Sequence, residues 1–212
     1  MMIGLSTVAS FSLALQTPPV EESSTYIWDG LKIVLVFFLV IANGFFVASE
    51  FALVGVRRSR IRTMAENGNR RAKLLLTLVD NLNAYISATQ LGITLSSLAL
   101  GWIGEPAIAH LIEAPLAALN VPPVWLHPIA FTIAFSIITF LHIVLGELAP
   151  KTLALERAEQ TSLAIAWPMQ AFYKIFYWPI RLLDWAGTRT VRLFGLHPSG
   201  DHASIYTEDE LR

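Results

Sequence analysis

Apolar positions fall along this chain in three long blocks, with a strongly basic connection after the first and a connection free of Lys and Arg after the second. Ile33 to Ser49 carries no formal charge and runs on through Glu50 and "FALVGV" to a cluster of arginines. Ala84 to Gly104 and Leu126 to Gly146 each supply 21 uncharged residues. A helix needs about 20 residues to cross roughly 30 Å of hydrocarbon, so the pattern predicts an all-α membrane protein with three transmembrane helices. A fourth apolar stretch, Leu163 to Leu183, is different in kind. It contains Lys174, Arg181, Pro168 and Pro179 and is crowded with aromatic residues from Trp167 to Trp185. Aromatic and basic flanks suit helices lying in the interface, so this stretch is expected to form cytoplasmic juxtamembrane helices rather than another crossing.

Composition agrees with a membrane protein: 54% of residues are hydrophobic and 15% charged. The net charge of -1 conceals a separation of signs along the chain. Arg57, Arg58, Arg60, Arg62, Arg70, Arg71 and Lys73 all lie between the first two blocks, and seven further basic residues follow from Lys151 onward. By the positive-inside rule the first connection and the C-terminal part are cytoplasmic, and the N-terminus is outside. The expected location is therefore the cell membrane, with several crossings. Within the first connection, Asn67-Gly68-Asn69 is a break between two short helices. Residues 1-30 read as an extracytoplasmic segment, and the lack of a basic n-region argues against a cleaved signal peptide. Residues 31-192 read as the transmembrane domain with its juxtamembrane belt. Residues 193-212 read as the start of a cytosolic linker, where Thr207 and Glu210 stand at capping-box spacing.

With no cysteine in the sequence, a metal site has only oxygen and imidazole side chains to draw on. Strongly polar groups inside a span need a partner or a purpose. Asn43 and Glu50 share one face of the first span, with Ser49 beside them. In the second span Ser87, Gln90, Thr94, Ser97 and Gly101 recur at intervals of three and four, drawing a polar, small-residue stripe. Close helix packing through Gly92 and Ser96, or Ser97 and Gly101, is the competing use of the same residues. The third span leaves through "GELAPK", Gly146 to Lys151. Pro150 has no amide hydrogen, so the Gly146 carbonyl loses its helical donor and must find a partner in protein, water or an ion. Glu147 stands next to it. Carbonyl, carboxylate and hydroxyl oxygens suit a hard cation such as Mg²⁺, and Glu147 paired with Lys151 one turn on is the alternative reading. His127 and His142 stand apart from other ligand types in sequence and read as structural. Glu105, followed by Pro106, reads as a helix-end residue. No hydrolase, nucleotide-binding or dinucleotide fingerprint occurs, so the chain is not expected to be an enzyme or to bind nucleic acid.

Three motifs together resemble one family. "NGFFVASEFALV" (Asn43 to Val54), "LGITLSSLALGWIGEP" (Leu91 to Pro106) and "GELAPKTLALERAE" (Gly146 to Glu159) are similar to the transmembrane domain of the CNNM/CorB/CorC magnesium transporters. The resemblance covers about Leu31 to Arg192. It implies a homodimer in the lipid bilayer, followed by cystathionine-β-synthase (CBS) domains, exporting Mg²⁺ in exchange for Na⁺. By motif the cation ligands would be Ser49, Gly146, Glu147 and the polar groups of the second span, Thr94 and Ser97. Asn43, Glu50, Gln90, Pro150 and Lys151 would line the ion path or serve a coupled Na⁺. Where family members carry "GNNLVN" this chain has "GITLSS", which puts Ile93, Thr94 and Ser97 at the three asparagine places. The competing function is a non-transporting membrane anchor, or a regulator, for cytosolic nucleotide-sensing domains.

Overall fold

The structure, a computed structural model, describes residues 20–194, with side chains described from Trp28 onward. The expectations for residues 1–19 and for the capping box at Thr207 and Glu210 lie outside the described residues. Helix α1 (Val20–Gly55) leads into α2 (Arg58–Glu66) and α3 (Arg70–Asp80), which meet at the expected break. There Gly68 takes a φ of 91°, and the Asn69 side chain caps α3 by accepting from the amides of Arg71 and Ala72. Helix α4 (Leu82–Ala118) follows, then α5 (Pro123–Leu141), a π-helical turn (His142–Leu148) and α6 (Ala149–Glu156). Helices α7 (Ala158–Ile175) and α8 (Tyr177–Leu193) end the described chain.

Among the described residues three helices are long and apolar enough to cross a membrane: Trp28–Gly55, Leu82–Ala118 and Pro123–Glu156. All three extend beyond the uncharged blocks, because a helix continues through polar residues wherever its main chain can still bond. Helix α4 runs through Pro106 and Pro115, so Glu105 sits inside the helix and not at its end. Each proline removes one amide donor without stopping the chain's helical path. The third span likewise does not end at Pro150. It widens into the π turn and carries on as α6. The apolar stretch from Leu163 to Leu183 is divided at Phe176 between α7 and α8, and neither is among the candidate spans.

Packing follows two different rules in the two halves of the molecule. At the end of the bundle where α1 stops, Leu53, Ile61, Leu75, Leu78, Ile165 and Met169 form a continuous buried core shared by α1, α2, α3 and α7. Phe46 and Phe172 lie 4.7 Å apart between ring centroids, and Tyr85 and Tyr173 lie 4.8 Å apart, which clamps α7 against α1 and α4. Arg60 adds an ion pair to Glu159 at 2.8 Å. Along the spans an aliphatic cluster of Val36, Val40, Leu100 and Ile138 is joined by contacts between small residues. Ala109, Ala130 and Ala134 bring α4 against α5, while Gly92 lets the ring of Phe46 lie directly on α4. Lipid tails are as apolar as leucine, so close backbone approach, more than burial of large side chains, holds such helices together. Of the two small-residue pairs read from the sequence, Gly92 and Ser96 are buried and Gly101 is exposed.

These contacts separate two glycines of one helix. A Cβ at position 92 would run into the Phe46 ring, whereas one at position 101 meets nothing within 4 Å. Gly92→Ala is expected to destabilise the bundle by about 1–3 kcal/mol through overpacking. Gly101→Ala should leave stability unchanged or raise it by up to about 1 kcal/mol, the helix-propensity gain. Thermal unfolding of the two variants in the same detergent measures the difference.

Candidate functional site

The three candidate spans meet at the π turn. Because Pro150 brings no amide, one carbonyl in the preceding turn cannot be paired along the main chain, and the helix answers by widening: the Ala149 amide reaches back to the Val144 carbonyl. The Gly146 carbonyl turns inward and accepts from Asn43 Nδ2 of α1 at 2.9 Å. Its partner in this structure is therefore a protein amide. Asn43 is 1% exposed, so neither water nor lipid competes for it. The pyrrolidine of Pro150 packs against Gly44, where a Cβ would lie 2.9 Å from its Cγ. Asn43 and Gly44 together thus seat α1 in the widened turn, one by a hydrogen bond and the other by having no side chain.

The cluster extends to the second span. Ser97 of α4 donates to Asn43 Oδ1 at 3.1 Å, and His142 Nε2, from the first residue of the π turn, lies 3.4 Å from the same hydroxyl. Gly146 is needed here a second time, since a Cβ would lie 2.9 Å from His142 Cδ2. Asn43, Ser97, His142 and the Gly146 carbonyl form one connected polar group contributed by all three spans. It offers carbonyl, amide and hydroxyl oxygens and one imidazole nitrogen.

The remaining residues singled out from the sequence are placed elsewhere. Ser49 is fully buried in α1 and donates to the Phe45 carbonyl at 2.7 Å, six residues along from Asn43. Glu50 is half-buried near the end of α1, and Pro150 is also half-buried. Glu147 is exposed on the protomer surface. Among the described residues it makes no ion pair with Lys151, whose ammonium lies 4.6 Å from the centroid of the Phe51 ring. The stripe on α4 divides. Ser97 joins the polar cluster, Gly101 is exposed, and Ser87, Gln90 and Thr94 line a groove of about 520 Å³ together with Asp184 and Thr188 of α8. Ser87 Oγ approaches Asp184 Oδ1 at 3.5 Å. Ile93 is half-buried, and Thr94 turns its hydroxyl back to the Gln90 carbonyl at 2.8 Å.

Two histidines that read as isolated in the sequence have partners. His127 Nδ1 lies 2.8 Å from Glu113 Oε1, across the connection between α4 and α5. His142 stands in the polar cluster, and one signal for it was present: it precedes Gly146 by four residues, one turn on the same face. Its partner, Ser97, is 45 residues away and could not be paired with it from spacing. Asp184 was missed for the same reason, since α8 reaches the groove only through the fold.

Comparison with known proteins agrees with this architecture. The family described as the cyclin M transmembrane N-terminal domain matches residues 34–212. Among curated proteins of Bacillus subtilis, UPF0053 protein YhdT is 44% identical over 85% of this chain and 39% of its own length. UPF0053 protein YugS is 42% identical over 86% of this chain and 42% of its own length. UPF0053 protein YhdP is 41% identical over 87% of this chain and 41% of its own length. The chain thus spans about two fifths of the length of these relatives. Three spanning helices, their polar joint and a match over most of the sequence lead to one conclusion: this is a multi-pass membrane protein and belongs to the cyclin M transmembrane-domain family.

Proposed function

We propose that this chain is the membrane domain of a Mg²⁺ transporter that exports the ion in exchange for Na⁺, binding it where the three spans meet at Gly146. The observation that carries this reading is the inward-facing Gly146 carbonyl, held in a partly buried cluster that gathers oxygen donors from all three spans. A carbonyl has two lone pairs and Asn43 takes one of them, which leaves the second for a cation. Ser97 and the Asn43 amide supply further neutral oxygens, with Ser49 and Thr94 as the ligands that a rearranged bundle adds. Glu147 brings the negative charge. It adjoins Gly146 in a π turn, a segment whose irregular bonding lets it turn more readily than a regular helix, and its carboxylate swings inward as the ion binds.

The groove lined by Ser87, Gln90, Thr94 and Asp184 serves as the inner approach, with Asp184 raising the local concentration of cations. Glu50 lies near the same end of α1 and serves the coupled Na⁺. In this reading the α2–α3 arginines face the cytoplasm, two copies associate in the bilayer, and CBS domains regulate transport. Mg²⁺ dehydrates reluctantly, so the bound ion keeps part of its water shell.

One observation favours a second reading, a membrane anchor for regulatory domains. Among the described residues every buried side-chain polar atom already has a protein partner. A packing joint needs no more than that. The two readings part on ligand linkage. Transport predicts that Mg²⁺ at about 100 times its Kd stabilises the protein by roughly 2.7 kcal/mol, and an anchor predicts no shift.

Two variants sharpen the test. Glu147→Gln should abolish Mg²⁺ efflux from loaded liposomes while changing folding stability by less than about 0.5 kcal/mol, as expected for an exposed position. Undiminished efflux would remove Glu147 from the mechanism. Asn43→Ala should both eliminate the Mg²⁺ shift and destabilise the protein by about 1–3 kcal/mol, because the buried Gly146 carbonyl loses its side-chain donor.

A further inference from the structure

We propose that His142 is the positioning residue of the polar cluster: its Nε2–H donates to Ser97 and thereby keeps the Ser97 hydroxyl donating to the Asn43 amide oxygen. The direction of every bond follows from an end that has no choice. The Gly146 carbonyl can only accept, so the Asn43 group 2.9 Å away is the NH₂. That leaves Asn43 Oδ1 toward Ser97 Oγ at 3.1 Å. An amide oxygen carries no hydrogen, so Ser97 must spend its only one there. Toward His142 Nε2, 3.4 Å away, Ser97 then has lone pairs alone. A bare ring nitrogen would set lone pair against lone pair, and a protonated one completes the chain.

The reverse arrangement is costly. Were Nε2 unprotonated, Ser97 would turn its hydrogen to the imidazole, and Asn43 Oδ1 would be left without a donor in a residue that is 1% exposed. The packing supports a fixed ring as well. The imidazole edge occupies the space that a side chain at 146 would need, so the residue whose carbonyl is presented also makes room for the group that holds it.

For the cation this chain has one consequence, which rests on the reading of the cluster as a cation site. With His142 donating, the Gly146 carbonyl and the Ser97 hydroxyl each retain a free lone pair, and the Asn43 amide is kept from rotating. Outer residues that orient ligands in this way typically account for a factor of about 10–100 in metal affinity.

The experiment has two arms. Nitrogen NMR of the ¹⁵N-histidine-labelled protein in micelles, with the His142 signals assigned by their loss in His142→Gln, should show Nε2 bearing a proton. A bare Nε2 overturns the proposal. In the second arm, Mg²⁺-dependent thermal stabilisation is titrated in His142→Gln, His142→Asn and His142→Leu. The amide nitrogen of Gln reaches the place of Nε2, whereas that of Asn reaches only the place of Nδ1. His142→Gln should keep the wild-type Mg²⁺ midpoint, and the other two should raise it about tenfold or more. All three lose the imidazole packing, so a purely structural role would not separate them, and equal midpoints for Gln and Asn would overturn the assignment. If the wild type shows no Mg²⁺ shift, the cation reading fails by itself, and the nitrogen spectrum still decides where the proton sits.

Discussion

The hydrogen bond from Asn43 to the Gly146 carbonyl is the constraint around which the membrane part is built. A proline near the end of a spanning helix removes a main-chain donor at a depth where water cannot replace it. The third span meets this by widening into a π turn instead of breaking, and the first span supplies the missing donor from a side chain. Once that bond forms, α1 has a fixed height against α5 and α6, and Gly44 settles against Pro150 as a consequence. Ser97 then ties α4 into the same register. A local defect in one helix has become the point that aligns three.

This joint is braced from one end. The core of large aliphatic and aromatic side chains sits where α1, α2, α3 and α7 come together, beyond the region of small-residue contacts. Hydrophobic burial can act there because water is the alternative environment. Along the spans the alternative is lipid, and the helices are held by alanine and glycine contacts, one small aliphatic cluster and the polar cluster. The braced end is consequently large and continuous, and the spanning part is slender.

The polar positions of α4 illustrate how one stripe can carry two roles. Ser97 points into the joint, while Ser87, Gln90 and Thr94 line the groove closed on its other side by α8. One helical turn separates Thr94 from Ser97, so groove and cluster are neighbours along a single helix face. The carboxylates differ in the same way. Asp184 sits half-buried in the groove, and Glu147 lies on the protomer surface next to the buried carbonyl of Gly146.

The sequence by itself determined the three spans, the break at Gly68 and the importance of the Gly146 to Pro150 segment. These are local properties: an uncharged run long enough to cross lipid, a residue free to take positive φ, and a ring that cannot donate a hydrogen bond. Three motifs also carried the family. The tertiary structure alone decided which side chain donates to the Gly146 carbonyl, since Asn43 is 103 residues away from Gly146 and nothing in spacing links them. It also decided that His142 belongs to the cluster and that the helices continue past Pro106 and Pro150. Polar partners in a bilayer are chosen by which side chains the packed helices bring within about 3 Å, and a linear pattern records the need for a partner without recording its identity.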